Sequence, residues 1–418
     1  MIQKLKFSKI RFIGAGILFM ITGFNLSAQN ISIKTGIEVL KEQNFKILEG
    51  KRVGLITNPT GVDNNMKSTI DILNEASNVN LVALFAPEHG VRGDAHAGDQ
   101  VEDMKDPKTN LPVYSLHGKT RKPTPEMLKN IDILVYDIQD IGCRSFTYIS
   151  TMGLAMETAA QNKIEFVVLD RPNPLGGEKV EGGLVEDNFI SFVSQFKIPY
   201  LYGLTCGELA MLLNDEKMLA KKCKLQVVAM EGWRRDMLYA ETGLQWISSS
   251  PHIPHPITAL FYPISGILGE LGYMSIGVGY PLPFELFAAE WIDAEKLAMS
   301  MNALKLPGLY FRPVYFKPFY STGQGKELQG VQVHIMDYAA ARLSEVQFYV
   351  MQEIAVLYPD KAVFDNANEK RFDMFDKVSG SDYVRLTFAK RNRFEDIKDF
   401  WYKDTEAFKK KSEKYWLY

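Results

Sequence analysis

Short aliphatic runs alternate with amphipathic stretches through the first half of the chain. Four such runs predict strands, at residues 52–58, 79–85, 131–137 and 164–169. Apolar residues at helical spacing predict helices at residues 67–77 and 145–162. Near-continuous apolar strands separated by helices are typical of a parallel sheet that is covered on both faces. The pattern therefore predicts an α/β fold with a Rossmann-like, doubly wound and mostly parallel sheet.

The pattern changes near residue 250. Residues 248–256 contain three prolines, which does not favour regular structure, and a glycine-rich stretch follows at 266–279. Farther along, the pattern predicts a helix after residue 290, a strand at 330–335 and a long helix at 339–357. We therefore expect a smaller α+β C-terminal domain over residues 251–418, following a Rossmann-like domain over residues 29–250.

The first 28 residues have the pattern of a secretory signal peptide. Four basic residues precede an apolar run of 13 residues at 12–24, and Ala28 offers a small residue for cleavage before Gln29. The apolar run is short for a transmembrane helix, so an uncleaved N-terminal anchor is the less favoured alternative. We expect a secreted or periplasmic protein that keeps no stable membrane anchor after cleavage.

Composition and motifs exclude several classes of function. The chain has 418 residues, 23% of them charged, and a net charge of −2, which gives no reason to expect nucleic acid as a partner. No G-x-G-x-x-G follows the first predicted strand, where residues 57–61 read TNPTG, and no P-loop motif occurs. We therefore expect no nucleotide and no cofactor.

Three cysteines, Cys143, Cys206 and Cys223, are too few for a disulfide framework. The sequence leaves open a single bridge between Cys206 and Cys223. Their spacing does not support a zinc site built on cysteines.

Polar residues collect after three of the predicted strands. The three clusters read PEHG at 87–90, DIQDIGCR at 137–144 and DRPNPLGG at 170–177. Because the carboxyl ends of parallel strands meet at one edge of a sheet, the clusters predict a shared site. Each cluster also has a structural interpretation, since strand-terminal Asp and Asn often cap helices or close turns, and Arg144 and Arg171 would pair with these acids.

Glu88 is the sharpest candidate for chemistry. It follows an apolar strand, and partial burial favours the protonated form of a carboxylate, which suits a general acid. A metal site that combines His89 with Asp94 and His96 is a weak alternative, because the spacing matches no established ligand pattern. A Ser-His-Asp hydrolase is weaker still, since the chain contains no G-x-S-x-G.

Taken together, these clusters resemble the exo-β-N-acetylmuramidase family of bacterial cell-wall recycling. The matching segments are GLITN at 54–58, APEHG at 86–90, YDIQDIG at 136–142, Arg144 with FTY at 146–148, LDRPNPLGG at 169–177 and GLTCGE at 203–208. The resemblance covers roughly residues 35–418. It implies an active site in a cleft between two domains, release of N-acetylmuramic acid from the non-reducing end of peptidoglycan fragments, and no nucleotide cofactor.

The resemblance makes Glu88 the leading catalytic residue. Glycoside hydrolysis usually needs a second carboxylate, for which Asp137, Asp140, Asp170 and Glu270 are available, and an arginine would match the lactyl carboxylate of the sugar. The catalytic candidates are Glu88, Asp140 and Glu270. The substrate-binding candidates are Asn58, His89, Arg92, His117, Asp137, Gln139, Arg144, Tyr148, Asp170, Arg171 and Asn173.

One segment departs from the family pattern. Family members carry a segment resembling E-G-T-N-x-S-x-G-R-G-T before Pro-Phe-Glu; here Glu270, Ser275 and Gly277 match it, whereas Val278 stands in place of the arginine. An unpaired substrate group costs about 1–3 kcal/mol, so we expect an altered substrate or low activity. A non-catalytic sugar-binding homologue is the alternative. His117 likewise stands where the family tends to have a tyrosine.

Overall fold

The structure, a computed structural model, describes residues 33–93 and 103–418. The signal peptide predicted for residues 1–28 lies outside the described residues, as do Asp94 and His96. Within the described ranges, no helix combines the length and the apolar character that crossing a bilayer requires.

The described residues form ten strands and thirteen α-helices. The strands are β1 (Arg52–Thr57), β2 (Asn80–Ala86), β3 (Met104–Lys105), β4 (Pro112–Ser115), β5 (Ile133–Asp137), β6 (Glu165–Leu169), β7 (Leu225–Val228), β8 (Leu286–Ala289), β9 (Leu309–Phe316) and β10 (Leu328–Ile335). The helices are α1 (Gly36–Glu42), α2 (Thr69–Glu75), α3 (Pro125–Leu128), α4 (Tyr148–Gln161), α5 (Cys206–Asp215), α6 (Pro256–Gly269), α7 (Ala294–Ala303), α8 (Val346–Leu357), α9 (Val363–Asn366), α10 (Phe372–Ser379), α11 (Tyr383–Arg391), α12 (Glu395–Tyr402) and α13 (Thr405–Ser412).

A seven-stranded sheet organises the first half, in the order β3-β4-β2-β1-β5-β6-β7. All neighbouring pairs are parallel except β3 with β4. From β1, the chain adds β2 and then β4 on one side of the sheet. It then returns to β5, on the other side of β1, and adds β6 and β7 there. The strand order therefore reverses between β1 and β5, which confirms the predicted doubly wound α/β fold.

Alternate side chains of each central strand enter different hydrophobic cores. On β5, Leu134 and Tyr136 join the core that contains α4 and α5, whereas Ile133 and Val135 join the core that contains α1 and α2. All five residues of β5 are buried. Because neighbouring residues of a strand point to opposite faces, a strand covered on both faces must be apolar throughout. This requirement explains why the sequence pattern predicted the central strands.

The second half contains a three-stranded antiparallel sheet in the order β8-β10-β9. Helices α7 and α8 pack on one face of this sheet, in the same core as Phe311, Val331 and Val333. The predicted α+β character of this half is confirmed. The long helix predicted for 339–357 begins only at Val346, because the backbone N–H groups of Leu343 and Ser344 donate to the buried Glu181 carboxylate at 3.2 and 2.8 Å.

Residues 248–255 are irregular, as their prolines indicated, but helix α6 begins at Pro256 and runs into the glycine-rich stretch, where no helix was predicted. Pro256 occupies the first turn, where its missing N–H costs nothing and its fixed φ favours the helix. Pro263 lies inside the helix and interrupts its hydrogen bonding. The buried Gln347 amide holds the turn that follows Pro263, because it donates to the Pro263 carbonyl at 3.1 Å and accepts from the Leu268 N–H at 3.0 Å.

A single buried guanidinium, that of Arg144, joins the two halves. Its Nε donates to Ser194 Oγ at 3.1 Å, and Nη1 donates to the carbonyls of Gly183 and Ile198 at 2.8 and 2.6 Å. Its Nη2 donates to the carbonyl of Val378 in α10 at 2.9 Å. Burial lowers the pKa of Arg144 to about 10, so the group stays protonated at neutral pH.

Residues 416–418 return to the first half. The Tyr418 hydroxyl donates to Asp170 at 2.8 Å and accepts from the Met230 N–H at 2.8 Å. The Leu417 N–H donates to Glu208 at 2.8 Å, and the Trp416 ring lies 4.1 Å from the guanidinium carbon of Arg235. These contacts close the carboxyl edge of the parallel sheet with residues from late in the chain.

All three cysteines are free and buried. The bridge between Cys206 and Cys223 that the sequence left open is therefore absent from the structure.

Replacing Arg144 tests its role as the tie between the halves. Arg144→Met keeps most of the volume but leaves three backbone carbonyls and one hydroxyl without their donor, so we expect a loss of at least about 3 kcal/mol in the free energy of unfolding. Urea denaturation measures it. The control is Arg234→Met, which removes a surface pair whose side chains are 56% and 60% exposed, and it should cost less than about 1 kcal/mol. Equal effects of the two substitutions would contradict the assignment.

Candidate active site

A cavity of about 350 Å³ lies between the two halves. The first half contributes Glu88, His89 and residues 145–148 to its wall. The second half contributes residues from three places, which are His252 with Tyr262, the segment from Gly269 to Val278, and Ser321 with Thr322. Of the three polar clusters predicted to share a site, the one at 87–90 supplies described lining residues, Glu88 and His89, whereas those at 137–144 and 170–177 supply none.

A tight turn carries Glu88 into the cavity. Strand β2 ends at Ala86, and Pro87 cannot extend the ladder. His89 and Gly90 then adopt left-handed backbone conformations, with φ of 72° and 79°, and the Gly90 N–H donates to the Pro87 carbonyl at 3.1 Å. A non-glycine residue in this region is uncommon and is often found at functional sites.

Two neighbours hold the Glu88 carboxyl group. Thr147 Oγ1 donates to Oε2 at 2.8 Å, and His117 Nε2 lies 3.7 Å from Oε1. The Glu88 side chain keeps 20% of its surface exposed, which leaves it accessible from the cavity. Both neighbours therefore orient the carboxyl group within the cavity wall.

The tautomer of His117 follows from its second neighbour. Arg121 Nη1 hydrogen-bonds His117 Nδ1, and since a guanidinium has no acceptor, Nδ1 of the neutral ring must accept. The ring proton of the neutral imidazole then sits on Nε2, which faces Glu88. Burial lowers the pKa of His117, and Arg121 and His89 lower it further, whereas Glu88 opposes the shift. The neutral ring is thus favoured as a hydrogen-bond donor.

Glu270 is the second carboxylate in the cavity wall. It follows α6 directly, at its C-cap, and burial raises the pKa of its carboxyl group, with Arg371 opposing that shift. Tyr262 lines the same cavity: burial raises the pKa of its hydroxyl, and the charges of Cys143, Glu270 and Glu88 add to the effect. Two carboxyl groups in different surroundings therefore share one cavity.

Aromatic side chains form an apolar part of the same cavity wall. The Phe146 ring lies 5.0 Å from Tyr148 and 5.9 Å from Tyr262, and Tyr262 lies 4.9 Å from Phe284. The Tyr148 hydroxyl donates to the Ser249 carbonyl at 2.5 Å, which links the wall to the proline-rich segment. Such rings offer flat apolar faces beside the two acids.

The end of β5 holds a buried ion pair instead of a cavity residue. Asp137 accepts from Arg171 Nε at 2.5 Å, from Arg171 Nη2 at 2.9 Å and from Thr69 Oγ1 at 2.5 Å. This pair lies where the strand order reverses, the usual ligand crevice of doubly wound sheets. The carboxylate and the guanidinium are here engaged with each other.

The third predicted cluster also makes internal contacts. Asp170 accepts from Thr205 Oγ1 at 2.6 Å and from the Gly207 N–H at 2.8 Å, at the start of α5. Asn173 donates to the Leu204 carbonyl and accepts from the Leu175 N–H, both at 3.0 Å. These two side chains fasten the loop after β6 to α5.

Asn58 and Gln139 fasten the neighbouring loops. Asn58 Oδ1 accepts from the Thr60 N–H at 3.0 Å and from Thr60 Oγ1 at 2.5 Å. Thr60 Oγ1 accepts in turn from the Gln139 N–H at 2.8 Å, and the Gln139 amide donates to the Pro172 carbonyl at 2.7 Å. Arg92 forms a two-pronged pair with Asp106 at 2.9 and 3.1 Å.

Asp140 is buried between loops. Its Oδ2 accepts from the Tyr202 hydroxyl and from the Gly142 N–H, the latter at 2.6 Å, and burial raises its pKa to about 6. The charge of Asp140 contributes to raising the pKa of Tyr148, a residue of the cavity wall. Asp140, a predicted catalytic residue, is not among the residues that line the cavity, because its carboxyl group is buried against Tyr202 and Gly142.

The structure brings together part of the predicted set. Glu88, His89, Tyr148 and Glu270 line the cavity, and His117 adjoins Glu88. The candidates that the structure engages in other networks are Asn58, Arg92, Asp137, Gln139, Asp140, Arg144, Asp170, Arg171 and Asn173.

Sequence reasoning missed several lining residues. Thr147 lay inside a recognised segment but was not singled out, and Tyr262 lay in a helix that was not predicted. The proline at the start of α6 was the signal that would have found that helix. Among the described residues, no group of three His, Cys, Asp or Glu side chains is arranged to hold a metal ion.

The chain matches known proteins over nearly its whole length. Residues 53–257 match the N-terminal domain, and residues 260–418 the C-terminal domain, of the exo-β-N-acetylmuramidase NamZ family. The peptidoglycan β-N-acetylmuramidase NamZ of Bacillus subtilis (strain 168) is 43% identical over 394 residues, which is 94% of this chain and 93% of that protein.

Crystal structures of two DUF1343 family proteins from Bacteroides fragilis NCTC 9343 are similar. One has a TM-score of 0.90 and 71% identity, covering 93% of this chain and 99% of that chain. The other has a TM-score of 0.73 and 28% identity, covering 92% of this chain and 99% of that chain.

The burial of Asp140 predicts a pH dependence of stability. Its pKa is about 6 in the folded protein against 3.8 when exposed, so the unfolded chain ionises first as the pH rises. Stability should therefore fall between pH 4 and 6, by up to about 3 kcal/mol from this group. Asp140→Asn removes that contribution. From pH 4 to 6 the free energy of unfolding of the variant should therefore rise relative to that of the parent, as measured by urea denaturation.

The control is Asp132→Asn. Hydrogen bonds from Arg52 hold the pKa of Asp132 at about 2, so its effect on stability is lost only below pH 4. The difference between this variant and the parent should stay flat from pH 4.5 to 6. A flat difference for Asp140→Asn as well would refute the prediction.

Proposed function

The chain belongs to the exo-β-N-acetylmuramidase NamZ family and is a glycosidase, and from that premise we propose that it releases N-acetylmuramic acid, or a related sugar, from the non-reducing end of peptidoglycan fragments. The observation that carries the proposal is the placement of Glu88 and Glu270 in the wall of one cavity. Glycosidases typically use two carboxyl groups that flank the scissile bond.

In the proposed mechanism, Glu88 protonates the leaving oxygen and Glu270 acts on the other side of the sugar. Thr147 and His117 orient the Glu88 carboxyl group, so its acidic proton meets the glycosidic oxygen in a fixed geometry. Glu270 then serves as the base that activates water or as the nucleophile. The aromatic wall beside them excludes water from the reacting bond.

The raised pKa of Glu270 favours the opposite assignment of the two roles. A carboxyl group whose pKa burial raises is better suited to donate a proton than one that stays fully ionised. The leaving group distinguishes the two assignments, because a good leaving group needs no protonation, whereas a sugar does.

The residues that line the cavity indicate which sugars it would bind. The described lining residues include no Lys or Arg, and residues 94–102 contain neither type. Met274, Ile276 and Val278 present apolar surface where the sequence departs from the family pattern. We therefore extend the proposal to related sugars, since the anionic lactyl group has no arginine partner in this wall.

The alternative of a non-catalytic sugar-binding homologue rests on that same segment, residues 270–280. Retention of both carboxyl groups in one cavity supports catalysis instead. Measurable binding of a muramic acid disaccharide without turnover would support the alternative.

The catalytic proposal is tested with Glu88→Gln and Glu270→Gln. Each is assayed on an N-acetylmuramic acid–N-acetylglucosamine disaccharide and on an N-acetylmuramic acid aryl glycoside with a good leaving group. If Glu88 is the acid, Glu88→Gln should lower kcat on the disaccharide by about 10²–10⁴, with a much smaller loss on the aryl glycoside. If instead Glu270→Gln loses activity on the disaccharide but keeps most of it on the aryl glycoside, Glu270 is the acid.

The matched control is Glu285→Gln. Glu285 follows the same segment, is half-buried and accepts from Gln332 at 3.1 Å. It should keep near-parental kcat on both substrates. Undiminished disaccharide hydrolysis by Glu88→Gln would refute the catalytic proposal.

We also propose that the protein is exported and works outside the cytoplasm, as the pattern of the first 28 residues predicts. Expression of the full chain in a bacterium, followed by mass spectrometry of the exported fraction, should find a mature N-terminus at Gln29. Replacing Lys4 and Lys6 by Glu, which removes positive charge from the n-region, should reduce export. Retention of the full-length chain in the cytoplasm would contradict the proposal.

A further inference from the structure

Two consecutive aromatic residues are exposed next to the cavity. Phe319 is 75% exposed, the highest value among the described large hydrophobic residues, and Tyr320 is 50% exposed. The next two residues, Ser321 and Thr322, line the cavity. Ser321 is itself exposed, so it lies at the cavity's opening. We call Phe319 and Tyr320 the aromatic platform.

The backbone of the platform is held in place. The Phe319 N–H donates to the Gly279 carbonyl at 2.8 Å, and the Gly325 N–H donates to the Pro318 carbonyl at 3.0 Å. Gly279 has φ of 88°, and a Cβ there would lie 2.0 Å from the Tyr320 carbonyl oxygen, so only glycine permits this approach. The platform is thus fixed to the segment that carries Glu270.

Tyr320 also contacts the cavity wall directly. Its ring stacks on His252, with centroids 6.0 Å apart and planes at 27°. His252 lines the cavity. The exposed aromatic surface is therefore continuous with the cavity wall, and a ligand that extends out of the cavity on this side meets it.

We propose that the aromatic platform binds the sugar residues on the reducing side of the scissile bond, beyond the sugar held in the cavity. This inference rests on the proposed function, in which one terminal sugar enters the cavity and the rest of the glycan stays outside. Pyranose rings present faces of C–H groups that pack on exposed aromatic rings. The rigid backbone lowers the entropy lost on binding.

The proposal predicts a length preference. The parent protein should have a higher kcat/KM on a hexasaccharide with muramic acid at its non-reducing end than on the disaccharide. Replacing both platform residues by Ala should raise KM for the hexasaccharide by about 10-fold while leaving kcat nearly unchanged, since the platform lies away from the reacting bond. KM for the disaccharide should change less.

Tyr310→Ala is the matched control. Tyr310 is also 50% exposed, on edge strand β9, but at the strand end remote from the platform. Its replacement should leave the ratio of hexasaccharide to disaccharide kcat/KM unchanged. An unchanged ratio in the platform variant, with activity intact, would overturn the proposal.

Binding separates failure of this inference from failure of the proposed function. The dissociation constant of the hexasaccharide is measured calorimetrically in the Glu88→Gln background, with and without the platform substitutions. Weaker binding without the platform supports the inference even if the parent releases no sugar, an outcome that refutes only the proposed function. Equal binding would overturn the inference. So would a parental dimer, seen by sedimentation, that the platform substitutions dissociate, because the rings would then serve a second copy of the chain.

Discussion

The buried guanidinium of Arg144 is the interaction on which the cleft depends. Its N–H groups donate to three backbone carbonyls and one hydroxyl drawn from both halves, and within residues 33–93 and 103–418 no carboxylate pairs with it. A buried charge is tolerated only when its hydrogen bonds are complete, so the segments around it are held to one geometry. Three residues later the same segment supplies Thr147, which contacts Glu88. The tie between the halves and the orientation of the carboxyl group in the cleft therefore share one stretch of chain.

The acids at the three polar strand ends differ in what they contact. Asp137 and Asp170 each accept several hydrogen bonds from neighbouring loops, and such closed networks hold the edge of the sheet rigid. Glu88 instead faces a cavity between two oriented neighbours. Rigid loops keep a side chain in one geometry, so the structural acids support the position of Glu88 in the cavity wall.

The sequence predicts the parallel sheet well because its central strands are buried on both faces, which makes them apolar throughout. The doubly wound fold was accessible on these grounds, whereas the family resemblance rests on the polar segments that follow the strands. Helix α6 was not, because Pro263 and the following glycines resemble loop sequence, and the contacts of Gln347 with the turn after Pro263 come from a residue distant in the sequence. The site was predicted in part. Glu88 and Glu270 stood out as acids in matching segments, but sequence does not tell whether an Asp such as Asp137 faces a ligand or an internal arginine.

The docking of residues 416–418 on the first half has a consequence for biosynthesis. Tyr418 contacts Asp170 and Met230, partners that are about 190 to 250 residues earlier in the chain. A ribosome delivers these partners long before Tyr418, and contacts so distant in sequence form late in folding. Until residues 417 and 418 have been made, the Asp170 and Glu208 carboxyl groups of the first half each lack one hydrogen-bond donor. The carboxyl edge of the parallel sheet therefore closes only after residues 416–418 have been synthesised.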